Sequence, residues 1–251
     1  MSAPLATLAR DGRVATLILR RPDARNALST DLLVSIDAAI AEAESLAPSL
    51  SALILTGEGR AFCAGMDLKA VLGNDALAHE LLTRLARLTL RIRKLPFVTI
   101  AKVNGAAIGG GCGLACVCDL ALTHADSKMG FPEVDLGVCP AVVAPWLVRK
   151  IGPGPARRVL LLGGLMSGSD AAKVGIANAA TPTLAELDTL VAETAIRVAS
   201  GGPVAIAATK SLLNELDGSL DEAMLLRAAD LSARVLATDD AQSRLRQKMS
   251  G

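Results

Sequence analysis

Tyrosine is absent from this 251-residue chain, and the aromatic side chains are three phenylalanines (Phe62, Phe97, Phe131) and one tryptophan, Trp146. Single-stranded nucleic acid is bound on platforms of several aromatics, so a surface of that class is not expected. Charge of one sign is lacking too. The chain has 26 Lys and Arg against 25 Asp and Glu, a formal net charge of +1, so the total predicts no polyanion-binding face. Two histidines, His79 and His124, are too few for an ordinary histidine-based zinc site. Cys63, Cys112, Cys116, Cys118 and Cys139 include no C-x-x-C pair and read as small apolar residues, so no metal site is expected. An odd cysteine count, with no basic and apolar leader in MSAPLATLARDG, predicts a reducing, cytoplasmic setting. The longest uncharged run, Val103 to Cys118, is too short and too rich in glycine to span a bilayer, and no membrane partner is expected.

What remains is aliphatic. Hydrophobic residues make up 51% of the chain, so its core is built from Ala, Leu, Val and Ile. A chain of this length can bury about 70–75% of the surface its unfolded form exposes.

Short apolar runs at Val14–Leu19, Ser51–Thr56 and Phe97–Val103 end in turn residues and predict strands. Between them lie two helical patterns. One opens at the hydroxyls of Ser29 and Thr30 and repeats through Leu32, Leu33, Ile36, Ile40 and Ala43. The other runs within 76–93 with Leu81, Leu85, Leu88 and Ile92 on one stripe. Strands alternating with helices predict an α/β architecture with crossover connections. Beyond about residue 140 the pattern turns helical, with segments predicted at 147–151, 156–162, 169–174, 184–198, 204–216 and 221–237 between Gly/Pro breaks. The expected division is an α/β domain over 1–195 and a C-terminal helical region over 196–251.

Three segments could carry chemistry. Gly59–Asp67 (GRAFCAGMD) follows a strand, and its glycines permit a tight turn and close approach of a ligand to backbone N–H groups. Asn104–Leu114 (NGAAIGGGCGL) also follows a strand and places three glycines where a helix begins, a site of exposed N–H donors for an anion or a developing oxyanion. Gly130–Gly137 (GFPEVDLG) sets one carboxylate, Glu133, in a mostly apolar loop, where burial would raise its pKa and suit it to acid/base work. Singly, glycine turns are mostly structural and a loop glutamate is mostly solvated; together and in this order they point to a site. Neither G-x-G-x-x-G nor a P-loop spacing occurs, so no nucleotide cofactor is indicated.

These stretches resemble the enoyl-CoA hydratase/isomerase (crotonase) superfamily from about Val14 to about Asp240. The likeness extends to Arg21–Leu28 (RPDARNAL), Pro140–Arg149 (PAVVAPWLVR) and Ser169–Gly175 (SDAAKVG). The resemblance implies a spiral of ββα units with a C-terminal helical oligomerisation region, assembled as trimers or trimers paired into hexamers. It implies an acyl-CoA thioester as substrate, with coenzyme A present only as part of it and no other cofactor. The family's oxyanion hole falls on the N–H groups of Met66 and Gly110. Its CoA-binding elements fall on Ala24, Arg25 and Asn26, which would wrap the adenine end through backbone contacts, and on Ala64, Asp67, Leu68 and Lys69. Lys69 would sit near the phosphates, and Asp67 more reasonably holds the turn. The basic run Arg84, Arg87, Arg91, Arg93 and Lys94 reads as a solvated helix face or as a neighbour of those phosphates.

Glu133 matches one glutamate of the two-glutamate hydratases, whereas the position of the other falls on Gly113, which has no side chain. Asp135 is a poor substitute, because in an extended loop it would point away from Glu133. The GGGxGL and PEVxLGxxPAVxxPxxVR patterns are similar to the methylglutaconyl-CoA hydratase-like branch, which shares the glycine. Hydration or dehydration of a 2-enoyl-CoA is therefore expected. A Δ3,Δ2-enoyl-CoA isomerase with one glutamate and an acyl-CoA-binding member without turnover are the alternatives. The family's usual ending is replaced by Ala241–Arg246, which leaves acyl length open.

Overall fold

The structure, a computed structural model, describes residues 3–250. Three times a strand of a large sheet is followed by a short strand of a small one and then by a helix. The large sheet holds β1 (Ala6–Asp11), β2 (Val14–Leu19), β3 (Ala52–Gly57), β5 (Val98–Val103), β7 (Leu120–His124) and β10 (Ala179–Thr181), in that spatial order. The small sheet holds β4 (Ala61–Cys63), β6 (Ala106–Ile108), β8 (Lys128–Gly130) and β9 (Leu165–Ser167). Only β1 and β9 run antiparallel to their neighbours. The helices of the spiral are α1 (Thr30–Ser45), α2 (Leu68–Val71), α3 (Asp75–Lys94), α4 (Gly110–Val117) and α5 (Ala144–Ile151). This is the ββα spiral that the resemblance implied.

The three expected strands are present, and β3 shows why its run is wholly apolar. It lies inside a parallel sheet with every residue buried, whereas β2 alternates buried and half-buried positions. Ser29 caps α1 by accepting a hydrogen bond from the Leu32 N–H at 3.2 Å, as its hydroxyl predicted. The main core lies between the two sheets and helices α1, α3 and α4. A second cluster covers the other face of the large sheet, where Leu187, Val191 and Ala195 pack on Ala52, Ile54, Ile100 and Leu122.

The C-terminal half departs from the sequence expectation at the prolines. Helix α5 begins at Ala144 and α6 (Pro153–Leu162) at Pro153, each earlier than expected, because proline lacks only an N–H that the first turn does not use. After α7 (Gly168–Lys173) come α8 (Leu184–Ala199), α9 (Pro203–Leu216), α10 (Glu222–Leu236) and α11 (Asp239–Ser250). The boundary expected at 195/196 falls inside α8; the chain turns at 200–202, where α8 and α9 meet at 104°. The helical region packs back on the body through α10, which lies along α3. Among the described residues no single helix is long and apolar enough to cross a membrane.

Candidate active site

Two turns meet at the edge of the small sheet. The first leaves β4 through Ala64 and Gly65, the latter at φ +87°. Leu28 clamps it from the side: the Leu28 N–H donates to Gly65 O at 2.7 Å, and the Asp67 N–H donates to Leu28 O at 3.0 Å. The Met66 N–H between them is left without a backbone acceptor. The second turn leaves β6 at Gly109, φ +53°, whose N–H donates to Gly130 O at 2.8 Å. Helix α4 starts at the next residue, so the Gly110 N–H belongs to the first turn and has no intrahelical partner.

Glycine is required where the turns touch. A Cβ on Gly65 would stand 2.6 Å from Ile108 O, and one on Gly111 would stand 2.1 Å from Cys63 O. The close approach sets the two free donors side by side: Met66 N lies 4.0 Å from where a Gly110 Cβ would be.

Glu133 reaches the same place from the segment after β8. Its Oε1 is 2.8 Å from where a Gly109 Cβ would stand, and its buried Oε2 has no hydrogen-bond partner. Burial pushes the carboxyl up to about 7, with a further upward push from Asp135. Asp135 is not on an extended loop. Val134–Leu136 forms a single 3-10 turn, and Asp135 is drawn off to accept from the Gly164 N–H at 2.9 Å. Its exclusion from chemistry stands, for a different reason.

A cavity of about 90 Å³ opens beside the carboxylate and the two donors. Its wall is mostly aliphatic, from Leu68, Leu82, Leu85, Ile108, Val138, Val142 and Val143, and it includes Ala64. Ser232 closes one side from α10, its hydroxyl donating to Cys139 O at 2.8 Å. Among the described residues Glu133 is the one carboxylate in this wall, and no Lys, Arg or His joins it. Burial raises the Cys139 thiol and pushes Cys63 and Cys118 up to about 12, so these three fill space as neutral groups.

Asp67 holds the first turn. It pairs with Arg21 at 2.8 Å, and Arg21 also donates to Ala27 O. Asn26 is buried, with φ +55°. Its side chain accepts from the Arg21 N–H and donates to Glu58 O and Ala61 O. It stitches the 24–28 segment to the site rather than offering its side chain to a ligand. Arg25 O is likewise taken by the Ala64 N–H, and Ala24 O by the Ala27 N–H. Lys69 is exposed near the start of α2. The basic run is not one solvated face. Arg91 pairs with Asp37 and Glu44, and Arg93, only 16% exposed, is held by Asp217 at 2.6 Å. Among the described residues no three His, Cys, Asp or Glu side chains converge as a metal site.

The model of the enoyl-CoA hydratase/isomerase family matches residues 9–247. The chain belongs to this family. It is 33% identical to the crotonyl-CoA hydratase of Syntrophomonas wolfei, over 93% of this chain and 90% of that protein. It is 32% identical to the 2,3-dehydroadipyl-CoA hydratase of Escherichia coli, over 93% of this chain and 91% of the relative. The crystal structure of an enoyl-CoA hydratase from Mycobacterium avium superposes with a TM-score of 0.89 at 28% identity, covering 99% of this chain and 97% of that one.

The structure explains why position 113, where the resemblance implied a second glutamate in two-glutamate hydratases, is a glycine in this chain. It lies on the buried α4, and a Cβ there would meet Val143 Cγ1 at 2.3 Å. Val143 thus fills the space that a side chain at 113 would need, and it forms part of the cavity wall. Sequence reasoning found the glycine but not the valine, because the contact joins residues 30 positions apart.

Proposed function

We propose that this chain adds water reversibly across the C2–C3 double bond of a 2-enoyl-CoA thioester, using Glu133 as its one acid/base group. The observation that carries this is an unpartnered carboxyl, raised to about 7, beside two free backbone donors at the mouth of an apolar cavity. The thioester oxygen accepts hydrogen bonds from the Met66 and Gly110 N–H groups. Charge develops on that oxygen as water attacks C3, and fixed donors stabilise it; one such donor is typically worth about 2.7–4 kcal/mol. The Glu133 carboxylate takes a proton from the attacking water, whose oxygen bonds to C3, and the resulting acid returns a proton to C2. A group titrating near neutral pH can do both.

The wall favours an uncharged acyl group. A distal carboxylate would lose its hydration with no cation to receive it and would face Glu133 at close range. CoA itself is proposed to lie over Ala24, Arg25 and Leu68, with the exposed Lys69 near its phosphates. Leu212, Leu213 and Leu216, exposed on α9, support self-association of the helical region, as trimers or paired trimers. Five free thiols support a reducing, cytoplasmic setting.

The test is turnover of crotonyl-CoA and of a 3-enoyl-CoA by wild type and Glu133→Gln, with products separated by mass. A 3-hydroxyacyl-CoA that the variant fails to form supports the reading. A 3-enoyl-CoA converted to the 2-enoyl thioester without gain of water would replace it with isomerisation.

A further inference from the structure

Helix α5 ends in a second cleft, separate from the acyl cavity, of about 210 Å³. Arg93, Trp146, Arg149 and Lys150 line it together with Asp119 and Asn178. Two buried donors there have no partner. Trp146 is 1% exposed, and its Nε1–H is unsatisfied; so is Nη1 of Arg149. The two residues are one turn apart on the same helix face, with the guanidinium 5.4 Å from the indole centroid. An unsatisfied buried donor typically costs about 1–3 kcal/mol, and folded proteins rarely leave one so.

Around the cleft stand Arg93, Arg149, Lys150 and Lys210 against Asp119, Asp217 and Asp221, and Asp217 already holds Arg93 at 2.6 Å. Asp119 is the one carboxylate in the cleft lining, and its Oδ2 is already bound by Lys210 at 2.7 Å and by the Thr99 N–H and hydroxyl. Lys150 gives two protons to Cys118 O and Asp119 O. Arg149 gives Nε to Asp217 O and Nη2 to Gly218 O, which fixes the guanidinium in place and leaves Nη1 over. Burial lowers the pKa of both Arg149 and Lys150, and Arg93 adds to the lowering, while Asp217 opposes it at Arg149 and Asp119 opposes it at Lys150.

From these orphaned donors, with one positive charge left over among the ion pairs around them, we infer that the cleft binds a small oxyanion, of the size and charge of inorganic phosphate. One oxygen would accept from Trp146 Nε1 and another from Arg149 Nη1, with Lys150 supplying charge. A charged N–H from a guanidinium already held in place suits such a group, with Lys150 adding a second positive charge on the same side.

The chain offers its own reporter. Trp146 is the only tryptophan and there is no tyrosine, so the indole emission arises in this cleft alone. The experiment titrates sodium phosphate into the purified full-length protein against sodium chloride of equal ionic strength. It follows Trp146 fluorescence and, by calorimetry, heat of binding. The expected result is a saturable, phosphate-specific change with one site per chain. Arg149→Met should weaken it about tenfold or more, the loss for one charged hydrogen bond. If Arg149→Met fails to fold, Trp146→Phe, which removes the indole N–H, carries the test by calorimetry and should also bind more weakly. A response equal in chloride and phosphate overturns the inference, as does binding that both variants retain in full. A phosphate response that emerges only when an oligomer is dissociated also overturns it, in favour of a carboxylate from a second copy filling the cleft.

Discussion

Helix α5 separates two concavities that manage buried polarity in opposite ways. At its N-terminal end Val142 and Val143 help wall an aliphatic cavity that holds one carboxyl, Glu133, with an unsatisfied oxygen. At its C-terminal end Trp146, Arg149 and Lys150 stand in a polar cleft with two unsatisfied donors. The acid at the first end can relieve its burial by staying protonated, and so becomes a group that exchanges a proton near neutral pH. The guanidinium and indole at the second end cannot shed their protons in the working range, so relief must come from outside. The same physical defect therefore suits one end to chemistry and the other to binding.

The largest expected effect lies at the acid end. Glu133→Gln keeps the shape of the side chain and removes proton exchange, and kcat with crotonyl-CoA should fall about 10²–10⁴-fold while thioester binding, read by calorimetry, persists. Loss of binding together with rate would mean that the residue shapes the cavity rather than moving protons.

Packing at Gly113 comes next. Gly113→Ala drives a methyl against Val143 and should lower stability by about 1–3 kcal/mol in urea unfolding. Adding Val143→Ala should recover part of that. An unchanged midpoint in the single variant would show that Val143 moves aside freely, and that the glycine is not dictated by the valine.

A smaller effect concerns pH. The Glu133 carboxyl titrates at about 7 in the fold against 4.5 for an ordinary glutamate, so the folded state holds a proton that the unfolded chain gives up. The fold's preference for that proton stabilises fully below about pH 4.5 and is lost as pH rises through 7. Glu133→Gln should therefore be more stable than wild type at pH 8, by on the order of 1–3 kcal/mol, and the difference should shrink towards pH 4. Parallel stability curves would mean that the carboxyl is hydrated after all. The smallest effect lies outside both concavities. Arg84 and Glu80 form an exposed pair one turn apart on α3, and Arg84→Ala should change stability by no more than about 0.5 kcal/mol.

What the sequence disclosed followed from local rules. The glycine turns, the cap at Ser29 and the isolated Glu133 are features whose neighbours along the chain explain them, and each lies where it was expected. The short strands β4, β6, β8 and β9 were not legible, because three residues carry too little periodicity to stand out. The work of the Asn26 side chain was not legible either, because Glu58 O and Ala61 O are partners that only the folded chain brings close. Arg149 gave no sign of its role for the same reason: its acceptors lie 68 and 69 residues further on.

The close contact of the two glycine turns has a consequence for how substitutions will be tolerated. The groups at positions 66 and 110 belong to the main chain, which side-chain replacement leaves in place. A saturation screen would pass many substitutions at Met66 as silent. It would penalise Gly65 and Gly111, whose added carbons would collide with Ile108 O and Cys63 O. On the first turn the sensitive position is thus displaced by one residue from the atom that would do the work, whereas on the second Gly110 is itself confined, because a Cβ there would stand 3.1 Å from Leu28 and 3.3 Å from Leu85. A search for the site by intolerance alone would mark Gly65, Gly110 and Gly111 and miss the donor at Met66.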